Sequence, residues 1–137
     1  MDGIIITPLE KIYHPKGDIL KVLKKTDDGF DNFGEAYFSE IYKGEIKGWK
    51  KHREMTLNLV VIIGEIKFVI FNEKTKEFFS INISKSNYKR LTIKPGLFMA
   101  FKGINKHNIV LNLANIEHRT DESLNIDLNQ IIYNWKI

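Results

Sequence analysis

From Glu35 to Ala114 the chain is a succession of short runs rich in Val, Ile, Phe and Tyr, each closed by glycine, asparagine, a Lys-Pro-Gly turn or a polar cluster. This rhythm constrains the fold more than any other feature. The runs are too short for the helices of a globular core, and β-branched and aromatic side chains pack best on a pleated surface. Strands are expected at Leu20–Lys24, Glu35–Ile41, Glu45–Lys50, Leu57–Ile63, Glu65–Asn72, Phe78–Ile83, Tyr88–Ile93, Leu97–Lys102 and Asn108–Ala114. Short strands at even spacing, separated by turn signals, predict an all-β sandwich or barrel.

Within Ile66–Phe71, Phe68 and Ile70 alternate with Lys67, yet Val69 and Phe71 keep the second face apolar. Both faces of this strand are therefore expected to be covered, as in the middle of a sandwich. Gly64, between two strong strand patterns, fits a tight hairpin that needs a positive φ. Asn72 to Lys76 reads as a polar hairpin tip. Lys94-Pro95-Gly96 fits a type II turn. The apolar tail Ile131-Ile132-Tyr133-Asn134-Trp135 has weak helical or extended character and is expected to dock on the sandwich. No repeat or linker marks a boundary, so residues 1–137 are read as one domain.

Composition removes several classes. No run approaches the roughly 18 apolar residues needed to cross a bilayer, so no membrane partner is expected. The start, Met1-Asp2-Gly3-Ile4-Ile5-Ile6-Thr7-Pro8, has no basic segment ahead of its short apolar run and does not read as a signal peptide, which makes a cytoplasmic location the expectation. The absence of cysteine excludes disulfides, thiolate ligands and a thiol nucleophile. A formal charge of +4 invites the thought of a polyanion, but Lys and Glu are mixed along most of the chain, which argues against nucleic acid. The densest basic stretch holds Lys43, Lys47, Lys50, Lys51 and Arg53 against Glu45 alone. It is read as a partly solvated face with one or two members turned to a small phosphorylated ligand. Nothing matches a nucleophile elbow, a Walker loop, a dinucleotide fingerprint or a zinc pair.

Two stretches carry a recognisable pattern. One runs Gly44-Glu45-Ile46-Lys47-Gly48-Trp49-Lys50-Lys51-His52, followed by Asn58-Leu59-Val60-Val61-Ile62-Ile63-Gly64-Glu65-Ile66-Lys67-Phe68-Val69-Ile70. The other runs Asn87-Tyr88-Lys89-Arg90-Leu91-Thr92-Ile93-Lys94-Pro95-Gly96-Leu97-Phe98-Met99-Ala100-Phe101. In order and spacing they resemble the dTDP-4-dehydrorhamnose 3,5-epimerase family, above all its shorter branch with a Gly-Trp-Lys-x-His stretch. The resemblance implies a cupin-type jelly roll, a homodimer, a nucleotide-sugar ligand inside the barrel, and proton transfer beside a ketone without metal or other cofactor. It implies a place in deoxysugar or surface-polysaccharide assembly. In that family a His held by an Asp removes the proton, a Tyr across the pocket returns one, and Lys and Arg steady the enolate and the diphosphate.

Carried over residue by residue, the pattern is altered. Lys50 stands where the family's base would be, and His52 lies two residues on, which in a strand is the same face. Trp49 and Lys51 point the other way. Asn58 takes the place of a pocket Lys, and Met99 that of a second pocket His, where it is a poor ligand for the harder metals of cupin sites. No Tyr is found at Asn115-Ile116-Glu117, where the opposing acid is expected, and the late Asp has no counterpart before Ile137. Lys50 and His52 are the candidate catalytic residues, His52 because its ordinary pKa lies nearest neutrality. Lys47, Trp49, Asn58, Met99 and Phe101 are candidate substrate contacts, although aromatic residues at strand spacing, as Trp49, Phe98 and Phe101 are, more often belong to the core. Tyr37, Tyr42 and Tyr88 are acids with no motif to choose among them, and His14, His107 and His118 read as surface residues. The expected function is a nucleotide-sugar epimerase or ketoisomerase with an altered or degenerate site; the alternative is a non-catalytic cupin that binds a sugar nucleotide or carbohydrate.

Overall fold

A computed structural model describes residues 1–136. The strands are β1 Ile4–Pro8, β2 Lys11–Ile12, β3 Ile19–Leu20, β4 Glu35–Tyr42, β5 Ile46–His52, β6 Leu57–Ile63, β7 Glu65–Asn72, β8 Glu77–Ser84, β9 Lys89–Ile93, β10 Phe98–Gly103, β11 His107–Ala114 and β12 Ser123–Asn125. They build two five-stranded antiparallel sheets, in the orders β1-β9-β6-β11-β4 and β12-β5-β10-β7-β8, with β2 and β3 as a small separate ribbon. The result is the all-β cupin jelly roll that the sequence predicts. Inward-facing Leu57, Leu59 and Val61 of β6, Phe68 and Ile70 of β7, Leu91 and Ile93 of β9 and Val110 of β11 join in one core between the sheets.

The apolar outer faces have two different covers. On the first sheet, the segment before β4 lies over β9 and β6. Arg90, fully buried, holds it there: Nη1 donates to the Val22 carbonyl at 2.7 Å and to the Asp27 carboxylate at 3.2 Å, while Nη2 donates to the Asp28 carbonyl at 3.0 Å. An unpaired buried guanidinium would be costly, so these bonds define the path of the segment. On the second sheet, the C-terminal tail covers Trp49, Val69, Phe98 and Ala100, with Ile131 buried among them and Tyr133 and Trp135 packed alongside. The tail docks as its composition suggests, with one 3₁₀ turn at Leu128–Gln130.

Three expectations change. Of the expected Leu20–Lys24 strand only Leu20 is in a strand, the second residue of β3, and the Val22 carbonyl is taken by Arg90 instead of a neighbouring strand. The apolar start, Ile4–Pro8, is an edge strand paired with β9. Gly64 has a positive φ of 79°, but β6 and β7 lie in different sheets, so it turns a corner between sheets rather than closing a hairpin.

Gly48 fixes how closely β5 and β10 approach. Its φ is 147°, and a Cβ built there would sit 2.4 Å from the Ala100 Cβ and 2.7 Å from the Ala100 Cα. Gly48→Ala is expected to destabilise the fold by about 1–3 kcal/mol through overpacking alone, because the obstacle is partly backbone. Chemical denaturation checks it; an unchanged midpoint would show that β10 yields freely.

Candidate functional site

At one end the sheets part around a cavity of about 330 Å³. Tyr37 and Ser39 of β4, Leu57 and Leu59 of β6, and Val110 and Asn112 of β11 form one wall. Lys47, Gly48, Lys50 and His52 of β5, Met99 and Phe101 of β10, and Asn125 of β12 form the other.

Strict alternation would not turn both Lys47 and Lys50 inward, since they are three residues apart. A bulge accomplishes it: Met99 pairs with Lys50 and Phe101 with Lys47, so β5 spends three steps where β10 spends two. A bulge of this kind re-aims side chains at the rim of a sheet, and Gly48 sits inside it. Beyond the bulge, alternation resumes. Lys50 and His52 face the cavity, while Trp49 and Lys51 face outward, Lys51 lying over the Phe98 ring and paired with Glu73 at 2.5 Å.

His52 is 8% exposed, and its Nδ1 is hydrogen-bonded to Oε1 of Glu122, itself 2% exposed. The other oxygen of Glu122 accepts the backbone N–H groups of Glu54 and Met55, each at 3.2 Å. Sequence reasoning found no carboxylate for this role. Glu122 arrives because the three-residue strand β12 pairs with the edge of β5, setting Ser123 opposite His52, and because the Arg53 N–H donates to the Glu122 carbonyl at 2.7 Å. The signal was an acidic residue followed by a short alternation, Ser123-Leu124-Asn125-Ile126, too brief to register as a strand. Burial alone would raise the Glu122 pKa, but the hydrogen bond from His52, the two backbone amides and the imidazole charge outweigh it and hold the carboxyl below its usual value. An ionised carboxylate only accepts, so Nδ1 carries a proton, and in the neutral ring Nε2 is the acceptor. Every sealed-in side-chain polar atom among the described residues has a partner, so Nε2, which has none, opens on the cavity.

Across the cavity, Tyr37 accepts a hydrogen bond from Asn112 Nδ2 at 2.9 Å. It alone of the three candidate tyrosines lines the space: Tyr42 is exposed, and the Tyr88 hydroxyl donates to the Lys21 carbonyl at 2.9 Å. Lys47, at the mouth, donates to the Glu40 carbonyl at 2.6 Å. Met99 and Phe101 supply apolar lining. Two expected contacts lie elsewhere. Trp49 is fully buried in the outer cluster, its indole N–H on the Leu128 carbonyl at 3.3 Å, because alternation in β5 turns it away. The Asn58 side chain points to the outer face of the first sheet, donating to the Gly29 carbonyl at 3.0 Å and accepting from Thr92 at 2.6 Å. Lys43 and Arg53 are exposed, as are His14, His107 and His118.

The depressed pKa of Glu122 gives stability a pH dependence with a definite sign. Its contribution is complete above the unfolded value of about 4.5 and is lost as pH falls through the lower folded value. Glu122→Gln is expected to cost about 1.5–3 kcal/mol near neutrality, as loss of a charged hydrogen-bond partner does, and to flatten the acid limb below pH 4.5. Unfolding free energies measured from pH 7 to pH 3 check both; parallel curves for the two proteins would contradict the assignment.

At the level of sequence, no family model and no curated protein matches the chain. Solved structures do. A dTDP sugar isomerase from Desulfovibrio desulfuricans G20 is 28% identical, covers 98% of this chain and 92% of its own, and superposes with a TM-score of 0.91. The sugar 3,4-ketoisomerase QdtA from Thermoanaerobacterium thermosaccharolyticum, solved with TDP-4-keto-6-deoxyglucose, is 17% identical over 90% of this chain and 88% of its own, with a TM-score of 0.80. The 3,5-epimerase RmlC from Legionella pneumophila, solved with dTDP-4-keto-L-rhamnose, is 15% identical over 98% of this chain and 79% of its own, with a TM-score of 0.86. In fold, the chain is a cupin of the dTDP-4-dehydrorhamnose 3,5-epimerase type.

Proposed function

We propose that the chain binds a nucleotide-linked 4-keto-deoxysugar in this cavity and moves protons at carbons beside the ketone, as an epimerase or ketoisomerase with an altered set of side chains. The observation that carries the reading is the buried His52–Glu122 pair, whose free Nε2 opens on the cavity. Nε2 takes a proton from a carbon next to the carbonyl, and the electron pair moves into the enolate. Glu122 stabilises the imidazolium that results and keeps the ring in the productive tautomer. Lys50, on the same wall, places its ammonium for the enolate oxygen, which needs no change in its protonation. Tyr37, on the opposite wall, returns a proton from the other side. Return from the opposite side inverts the carbon; return from the His52 side to the former carbonyl carbon, with the proton of the adjacent hydroxyl passing to the former carbonyl oxygen, relocates the ketone. The ligands of the similar enzymes support a dTDP-sugar as the substrate class, and a place in deoxysugar or surface-polysaccharide assembly accords with it.

The test is incubation with dTDP-4-keto-6-deoxyglucose in deuterated water, read by NMR at carbons 3 and 5. Exchange is expected at carbon 3 at least, and His52→Ala is expected to slow it by roughly 10² to 10⁴, the usual worth of a general base. Tight binding of the nucleotide sugar with no exchange at either carbon would favour the non-catalytic binding cupin instead.

The outer face of the first sheet supports a homodimer. The long strand β4 is an unpaired edge, and Phe38 on it is 64% exposed, Tyr42 62% and Ile63 of β6 48%. Exposed apolar edges of this kind are ordinarily covered. Sedimentation is expected to give a particle of two 16.0 kDa chains, and Phe38→Glu to shift it toward one. A single 16.0 kDa species for the unmodified protein at micromolar concentration would remove the proposal.

A further inference from the structure

Asn112, 4% exposed, lines the cavity together with Tyr37, and its amide has no freedom to flip. Its Oδ1 accepts the backbone N–H of Asn58 at 3.2 Å, and a backbone amide only donates. The oxygen must therefore face Asn58. That leaves Nδ2 toward Tyr37 Oη at 2.9 Å, with the Met55 sulfur 4.0 Å from the same nitrogen. Asn112 thus donates to Tyr37, and the phenol oxygen accepts.

A phenol that accepts from its only protein partner must direct its own proton elsewhere. Among the described residues no acceptor takes the Tyr37 proton, and the side chain lines the cavity. We propose that Asn112 is a positioning residue that turns the Tyr37 hydroxyl proton into the cavity, making Tyr37 an obligate donor to the ligand. The amide N–H that remains on Oη also stabilises the oxygen once that proton has left. A carboxylate at the same position would do the reverse: it has only acceptors, would keep the Asn58 contact, and would draw the Tyr37 proton out of the cavity. Only the catalytic consequence rests on the proton-transfer reading given above; the orientation does not.

Two measurements test it. Neutron diffraction from deuterium-exchanged crystals of the unmodified protein is expected to show deuterium on Asn112 Nδ2 facing Tyr37 Oη, and the Tyr37 deuteron aimed at the cavity. A Tyr37 deuteron lying on Asn112 would overturn the proposal. In the solvent-exchange assay, Asn112→Asp is expected to lose about as much rate as Tyr37→Phe, roughly 10²-fold, with its midpoint of unfolding measured alongside. The double variant is expected to lose no more than either single one, since both remove the same donated proton; losses that multiply would mean that Asn112 acts independently of Tyr37, and would overturn it. If the unmodified protein exchanges no hydrogen, the proton-transfer reading fails, and the diffraction result alone still decides the orientation.

Discussion

The carboxylate of Glu122 is the point on which the site depends. One oxygen is bound to His52 and the other to the amides of Glu54 and Met55, so a single buried group joins the end of β5, the loop after it and the start of β12. A buried carboxylate without partners would cost several kcal/mol and would take up a proton instead. With three donors converging on it, the charge is kept, and the charge fixes the imidazole tautomer. Local structure and chemistry are the same fact here: the bonds that hold β12 on the sheet edge are those that leave His52 Nε2 free to accept.

The rest of the architecture serves to open one end of a sandwich that is otherwise filled. Covering segments on both outer faces allow the central strands to be apolar on two sides, so the interior does not need the full inter-sheet volume for its stability. Arg90 anchors one cover, and the Trp49 cluster anchors the other. The tail also pairs Ile126 with Trp49 through two backbone bonds of 3.1 Å, which continues the β12 contact along β5. The bulge at Gly48 then brings two lysines and a histidine of one strand to the same wall, where regular alternation would turn Lys47 outward.

Much of this was legible in the residues. The spacing of short apolar runs gave the all-β class, and the two-sided apolarity of Ile66–Phe71 announced a covered central strand. Parity along β5 separated Lys50 and His52 from Trp49 and Lys51. What parity could not show was that Trp49 belongs to the outer cluster as a fully buried residue, or that the bulge admits Lys47. Long-range partners were beyond reach for a physical reason: Glu122 is 70 residues from His52, at the end of a 3₁₀ turn and just ahead of a strand of three residues whose extension comes from pairing and not from propensity. Tyr37 likewise stood undistinguished among three tyrosines, because its place depends on which sheet β4 joins. The acid that the family places after the last core strand has no tyrosine at Asn115-Ile116-Glu117, while the tyrosine that lines the cavity lies on β4.

The central claim is that His52, oriented by Glu122, presents Nε2 to a nucleotide sugar in this cavity. Long-range proton–nitrogen NMR of the imidazole, recorded with and without dTDP-4-keto-6-deoxyglucose, tests it most directly. The account predicts a proton on Nδ1 shared with Glu122, absent in Glu122→Gln, and an Nε2 resonance that shifts on addition of the sugar nucleotide. An Nε2-protonated ring, or an Nε2 resonance that ignores a ligand bound elsewhere on the protein, would contradict it.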